Sequence, residues 1–285
     1  MEPVEQLKRM SNRLSHSINA EEAKSQTLHL QTDCPDCGGS GWIWSRDDNG
    51  VPYCEECHCG IRKKMILQNQ LQFAEMPDMY KECRFSNMKS SVYQLPESKE
   101  IFIQAAKAVK YWIENIQQMQ EQGIGLYIYS NTKGSGKTRL VCSMANEMIE
   151  KHQKSVKFTT SLKILDEIKS TWGERGKNAE NKLISDLTYA DILIIDDFGA
   201  ESVKDWIIEK FYGIINGRYV DKKTTIFTSN YPISRLKYDD RITNRILERS
   251  LEIPFPEESV REHIADAMKQ ELIKKIQGGE NGKQA

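Results

Sequence analysis

No run of eighteen apolar residues occurs anywhere in the 285-residue chain, so no segment reads as a membrane-spanning helix. Excess charge of either sign is also missing. Forty Lys and Arg stand against 41 Asp and Glu, a net charge of −1, so there is no global attraction to nucleic acid, and any such contact must come from a local patch. The opening Met1-Glu2-Pro3-Val4-Glu5 lacks the basic and apolar stretches of a secretory leader, and the expectation is a cytoplasmic protein. No internal repeat is found. What is present is ordinary globular composition, 39% hydrophobic and 28% charged, at a length suited to one large domain and one small one. In a reducing compartment, seven cysteines point to metal binding or buried thiols before disulfides.

Along the chain, residues 1–30 read as a helix with Val4, Leu7, Leu14 and Ile18 on one face. A Cys- and Gly-rich stretch follows at 34–60 without a long periodic element, then an amphipathic segment from Ile61 to Ala74. Residues 86–98 look like a joint, giving an N-terminal domain over 1–85, a second domain over 86–277 and a disordered tail over 278–285. In the second domain helices alternate with five strands: Gly125–Ser130, Val156–Thr160, Asp191–Asp196, Thr224–Ser229 and Leu251–Phe255. Helices are expected over Lys99–Glu121, Lys137–Lys151, after the second strand, and near Lys204–Tyr219, Tyr238–Ser250 and Glu257–Ile276, with a polar loop from Trp172 to Glu180. This alternation predicts an α/β fold, a parallel sheet covered on both faces.

The first strand stops at Asn131-Thr132-Lys133-Gly134-Ser135-Gly136-Lys137-Thr138-Arg139 and a helical pattern begins. Strand, glycine loop and helix make a phosphate-binding loop: backbone N–H groups converge on phosphate oxygens, and the helix N-terminus adds its positive end. Lys137 is expected to reach the β- and γ-phosphates of ATP, and the Thr138 hydroxyl to hold Mg²⁺. Asn131 replaces the first glycine of the usual pattern, and Asn tolerates the positive φ that such a turn can demand.

Ile192-Leu193-Ile194-Ile195 is apolar throughout, as a buried central strand should be, and ends in Asp196-Asp197. Two carboxylates at such a strand end are costly without a cation, so Asp196 is expected to hold Mg²⁺ and Asp197 to polarise the attacking water. Strand four ends in Thr228-Ser229-Asn230, whose Asn230 would face the same crevice. Arg241, Arg245 and Arg249 share one helix face, either as a solvated basic stripe or with one acting on a neighbour's nucleotide.

Cys34-Pro-Asp-Cys37 and Cys54-Glu-Glu-Cys57 are separated by 16 residues, a spacing suited to a closed, structural Zn²⁺ site. Cys59 competes for the last two places, so four of Cys34, Cys37, Cys54, Cys57 and Cys59 are expected as ligands. Cys83 and Cys142 read as inert core thiols.

Taken together, these motifs resemble the AAA+ ATPases of the replicative helicase-loader group, the DnaC/DnaI type, bacterial or phage. The resemblance runs from about Met79 to Arg261. It includes Arg84-Phe85-Ser-Asn-Met, Leu193-Ile-Ile-Asp-Asp-Phe-Gly-Ala-Glu201, Thr228-Ser-Asn-Tyr231 and Asp240-Arg-Ile-Thr-Asn-Arg-Ile-Leu-Glu248. It implies an AAA+ P-loop ATPase with a five-stranded parallel sheet, preceded by a small zinc-binding domain. Lys137 and Thr138 then match Walker A, Asp196 and Asp197 Walker B, and Asn230 sensor 1. Arg245, or alternatively Arg241, matches the arginine finger, and Ser259-Val260-Arg261 resembles sensor 2. Relatives often close the metal site with Cys-x-Cys, which favours Cys57 with Cys59.

The resemblance implies a loader that docks on the hexameric replicative helicase through its zinc domain, contacts single-stranded DNA and assembles with copies of itself in a ring or spiral. Its ATP hydrolysis would be slow alone. For DNA contact, the basic loop from Trp172 to Lys182 is a candidate. Two other readings stay open: a transposition helper ATPase of the IstB type, and a nucleotide-binding adaptor without hydrolysis.

Overall fold

A computed structural model describes residues 34–172 and 177–279. The helix expected over 1–30, residues 173–176 of the polar loop and the tail beyond Gly279 lie outside the described residues. The chain forms two compact units that divide between Met65 and Ile66. The expected joint at 86–98 therefore lies within the larger unit. Ala74, Met76 and Cys83 are buried there, with Leu67, Leu71, Tyr80 and Phe85 packed alongside.

In the smaller unit, β1 (Trp42–Arg46) and β2 (Pro52–Glu56) pair antiparallel, a short hairpin within the stretch read as lacking a long periodic element. Helix α1 (Ile61–Ala74) has the expected bounds.

The larger unit begins within α1 and continues, after the segment that carries Met76 to Phe85, with α2 (Pro96–Glu114) and α3 (Ile116–Gln122). One continuous helix was expected here. It breaks at Asn115, whose side chain donates to the Tyr111 carbonyl, a local hydrogen bond that competes with the helix ladder. Then follow β3 (Gly125–Tyr129), α4 (Lys137–Glu150), β4 (Val156–Thr160), α5 (Ser161–Ser170) and α6 (Lys177–Tyr189). Helix α6 takes in the end of the expected loop. The chain continues through β5 (Ile192–Phe198), α7 (Asp205–Val220), β6 (Thr224–Ser229), α8 (Asp240–Arg249), β7 (Ser250–Pro254) and α9 (Val260–Gly279).

The five strands of this unit form a parallel sheet in the order β4-β5-β6-β3-β7. Residue alternation divides the apolar runs between two cores. Leu126, Ile128, Ile192, Ile194 and Ile226 face α2 and α4, while Tyr127, Leu193, Ile195 and Phe227 face α5, α7 and α8. Each such side chain contributes roughly 1.5–3 kcal/mol by leaving water. After β3 the chain crosses to the far edge and returns through β5 to β6, so the ends of β3 and β5 flank β6. That reversal opens a crevice at the strands' C-terminal ends. Among the described residues no helix is long and apolar enough to cross a membrane.

Candidate nucleotide site and cysteine cluster

The crevice is a cleft of about 430 Å³, lined by Lys133–Arg139 of the glycine loop together with Asp197, Asn230 and Arg261. Gly134 and Gly136 adopt φ of +79° and +106°, where a side chain is strained. A Cβ at Gly134 would also come within 3.0 Å of both Arg261 and Ser259. Asn131 is different. The non-glycine residues with positive φ among the described ones are Glu75, Gln153, Asp197 and Lys222, so Asn131 has ordinary backbone and needs no glycine-like freedom.

Lys137 starts α4 and is buried. Its Nζ donates to the carbonyls of Ser130 and Thr132, both at 3.1 Å. Burial lowers its pKa, against the opposing pull of Asp197, Glu257 and Asp196. The Thr138 hydroxyl donates to both carboxylate oxygens of Asp196, at 2.9 and 3.1 Å, and the Thr228 hydroxyl donates to Asp196 as well. Asp196 is buried, and burial pushes its carboxyl up to about 6; the two hydroxyls lower it, and the charge of Asp197 adds to the rise. A buried carboxylate with hydroxyl partners beside an alcohol oxygen is a donor set for a hard cation, and Thr138 with Asp196 fits Mg²⁺.

At Asp197 strand β5 bulges. Its φ is +52°, its N–H donates to Thr228 Oγ1 at 2.9 Å, and its carbonyl accepts from Ser161 Oγ at 2.9 Å. The left-handed backbone lets two consecutive acids serve one site: Asp196 bonds Thr138 while Asp197 lines the cleft. Beyond the bulge, Gly199 N–H and the Tyr238 hydroxyl donate to buried Glu201.

Several residues of this region were not singled out from sequence. Thr228 is one, although the Thr-Ser-Asn triplet carried the signal. Glu257 holds the mouth of the glycine loop. Met79 and Tyr80 line the cleft's apolar end with Val260 and Ile264, and they come from a linker in which no pattern marks them. Arg245 lies elsewhere. It donates to Asn216 at 2.9 Å, to the Arg241 carbonyl at 2.6 Å and to the Tyr212 hydroxyl at 3.4 Å. Arg241 is more exposed and paired with Asp239 at 2.6 Å.

In the smaller unit the sulfurs of Cys34, Cys37, Cys57 and Cys59 lie within 4.8 Å of one another. Cys34–Cys57 and Cys37–Cys59 are both 3.7 Å apart. Tetrahedral bonds of the usual Zn–S length place sulfurs about 3.8 Å apart, so the cluster fits a closed Zn²⁺ site. The Gly41 N–H donates to Cys37 Sγ at 3.3 Å. Cys54 is not a member: it sits in β2 opposite Trp44 and is exposed. The spacing argument for Cys54 fails because the hairpin carries that residue away from the first knuckle, whereas Cys57 and Cys59 lie where the strand ends. Cys83 and Cys142 are buried free thiols, as expected.

A family model described as IstB-like ATP binding protein matches residues 63–263. The replicative helicase loader DnaC of Buchnera aphidicola subsp. Acyrthosiphon pisum is 25% identical over 205 residues, covering 71% of this chain and 78% of that protein. The phage-like element PBSX protein XkdC of Bacillus subtilis is 25% identical over 222 residues, covering 76% and 79%. The crystal structure of DnaI superposes with a TM-score of 0.52 over 67% of this chain and 99% of that one; at 22% identity it speaks for the fold.

Proposed function

The chain belongs to the IstB-like ATP-binding family, and from that premise we propose that it is an ATP-dependent loader of a replicative DNA helicase. The curated relatives named replicative helicase loader favour this client, and the cysteine cluster is the observation that carries it. A closed tetrathiolate site has no open position for chemistry, so its use is to build a rigid surface. In this reading that surface docks on the helicase hexamer, and Zn²⁺ supplies much of the small unit's folding energy.

In the larger unit Lys137 neutralises the β- and γ-phosphates, and N–H groups of residues 134–138 hold their oxygens. Mg²⁺, held by Thr138 and Asp196, would screen the charge that builds up during phosphoryl transfer. Asp197 orients the attacking water, Asn230 senses the γ-phosphate, and Arg261 reaches it from α9. Met79, Tyr80, Val260 and Ile264 offer the base an apolar seat. Hydrolysis is slow in an isolated copy because an arginine must come from a neighbour in a ring or spiral. Bound and hydrolysed states then favour different assemblies with the helicase and single-stranded DNA.

The test is loading of the cognate replicative hexamer onto closed circular single-stranded DNA, with and without this protein and ATP. Loading that requires the protein supports the reading. Absence of both loading and hexamer binding would instead favour a transposase as the client, the IstB-type alternative.

A further inference from the structure

The departure of the glycine loop from its usual pattern has a partner in the structure. Glu257, in the loop between β7 and α9, accepts four hydrogen bonds from the two residues at the loop's mouth. Oε1 takes the Asn131 N–H at 2.8 Å and its Nδ2 at 2.9 Å; Oε2 takes the Thr132 N–H and its Oγ1, both at 2.9 Å. The connection and the first turn of α9 hold the loop and its approach at two further points. Ser130 Oγ donates to the Pro256 carbonyl at 2.8 Å, and the Arg261 N–H to the Gly134 carbonyl at 3.3 Å. A glycine at position 131 would lose the Nδ2 bond.

Lys137 gives the clasp its meaning. Its ammonium group now holds the Ser130 and Thr132 carbonyls, and it must turn away from them to reach phosphates. The side-chain anchors left on Thr132 are then Ser130 Oγ, at 3.2 Å from its N–H and 3.4 Å from its carbonyl, and Glu257, which alone takes the Thr132 hydroxyl as well as the N–H and ties both to a distant segment. Resting on the reading that residues 131–138 bind a triphosphate, we propose that Glu257 is a positioning residue for nucleotide binding, clasping Asn131 and Thr132 so that the loop keeps its shape when Lys137 turns to the phosphates. Its charge is compatible with a nearby anion because both oxygens are saturated by donors. Partial burial raises its carboxyl, but the Asn131 and Thr132 donors outweigh this and hold it below the usual carboxylate range.

The experiment compares full-length wild type with Glu257→Ala, Glu257→Gln, Asn131→Gly, the Asn131→Gly/Glu257→Ala pair, and Lys137→Ala as reference. Calorimetry reads ATP and inorganic tripolyphosphate, saturation-transfer NMR reads adenosine, and thermal melts report folding. Glu257→Ala is expected to weaken ATP and tripolyphosphate about fivefold while adenosine binding stays. Glu257→Gln keeps one acceptor oxygen and falls between, which carries the test if the alanine variant does not fold. In the Asn131→Gly background the effect of Glu257→Ala should shrink. A loss under twofold, or equal loss of adenosine and tripolyphosphate, overturns the proposal. If Lys137→Ala binds both phosphate ligands like wild type, the triphosphate reading of the loop fails; if only Lys137→Ala is impaired, the clasp alone fails.

Discussion

The Thr138 hydroxyl donates to Asp196 Oδ2 at 2.9 Å, joining the first turn of α4 to the end of β5 across 58 residues of sequence. Two oxygen donors are thereby held side by side, a buried carboxylate and a half-buried hydroxyl, with the Thr228 hydroxyl on the same carboxylate.

A pH dependence follows. With its carboxyl pushed up to about 6 from an ordinary value of 3.8, native Asp196 keeps a proton that the unfolded chain has released between those values. The protein without Mg²⁺ therefore loses stability as pH rises through that window, by up to roughly 3 kcal/mol. Mg²⁺ needs the ionised form, so Mg²⁺·ATP affinity should fall about tenfold per pH unit below 6. Asp196→Asn should raise the melting temperature of the metal-free protein at pH 8 and abolish stabilisation by Mg²⁺·ATP. If that stabilisation survives, Asp196 does not hold the metal.

Asn146 tests the base seat. Buried on α4, its Nδ2 donates to the carbonyls of Tyr80, Lys81 and Cys83 at 3.2, 3.1 and 2.8 Å, and so fixes the linker that presents Met79 and Tyr80. Asn146→Ala should cost about 2–3 kcal/mol of stability by stranding carbonyls. It should also weaken ATP more than tripolyphosphate. Equal weakening of both would remove the seat from that linker.

Arg241 and Arg245 make different demands. To act on a neighbouring copy, Arg245 must give up Asn216, a carbonyl and the Tyr212 and Tyr219 rings, whereas the more exposed Arg241 must leave Asp239 and the Tyr212 ring. Arg241→Ala is expected to abolish assembly-stimulated hydrolysis, spare ATP binding and leave the melting temperature within a degree or two. Arg245→Ala should lower the melting temperature as well. Stimulated turnover unchanged in Arg241→Ala would return the finger to Arg245.

The cysteines separate cleanly. Cys59→Ser should release zinc from the full-length protein and weaken helicase binding, while Cys54→Ser keeps one equivalent of metal by elemental analysis. The reverse pattern would contradict the cluster.

Much of this site was legible beforehand because its signals are local. The unbroken apolar run Ile192–Ile195, the bounds of α1 and the turn from β3 into Lys137 depend on near neighbours in the chain. Arg218 shows the opposite case. From sequence it is one more basic residue near a helix end. In the fold it is buried, bonded to the carbonyls of Leu187, Thr188, Ala190 and Thr224 and to Thr225 Oγ1, and burial pushes its guanidinium down to about 9. No local pattern signals that role, since most of its acceptors come from another helix and the approach to another strand.

By itself the sequence determined the class of fold, the phosphate loop, the paired acids and the presence of a thiol cluster, because periodicity and short motifs express backbone geometry over a few residues. Only the tertiary structure decided that Cys59 and not Cys54 joins the cluster, that Glu257 clasps Asn131, and that Met79 and Tyr80 close the cleft. The cysteine choice turns on the β1–β2 hairpin of the smaller unit, and the other two on which distant segments the parallel sheet of the larger unit brings together, neither of which a local pattern expresses.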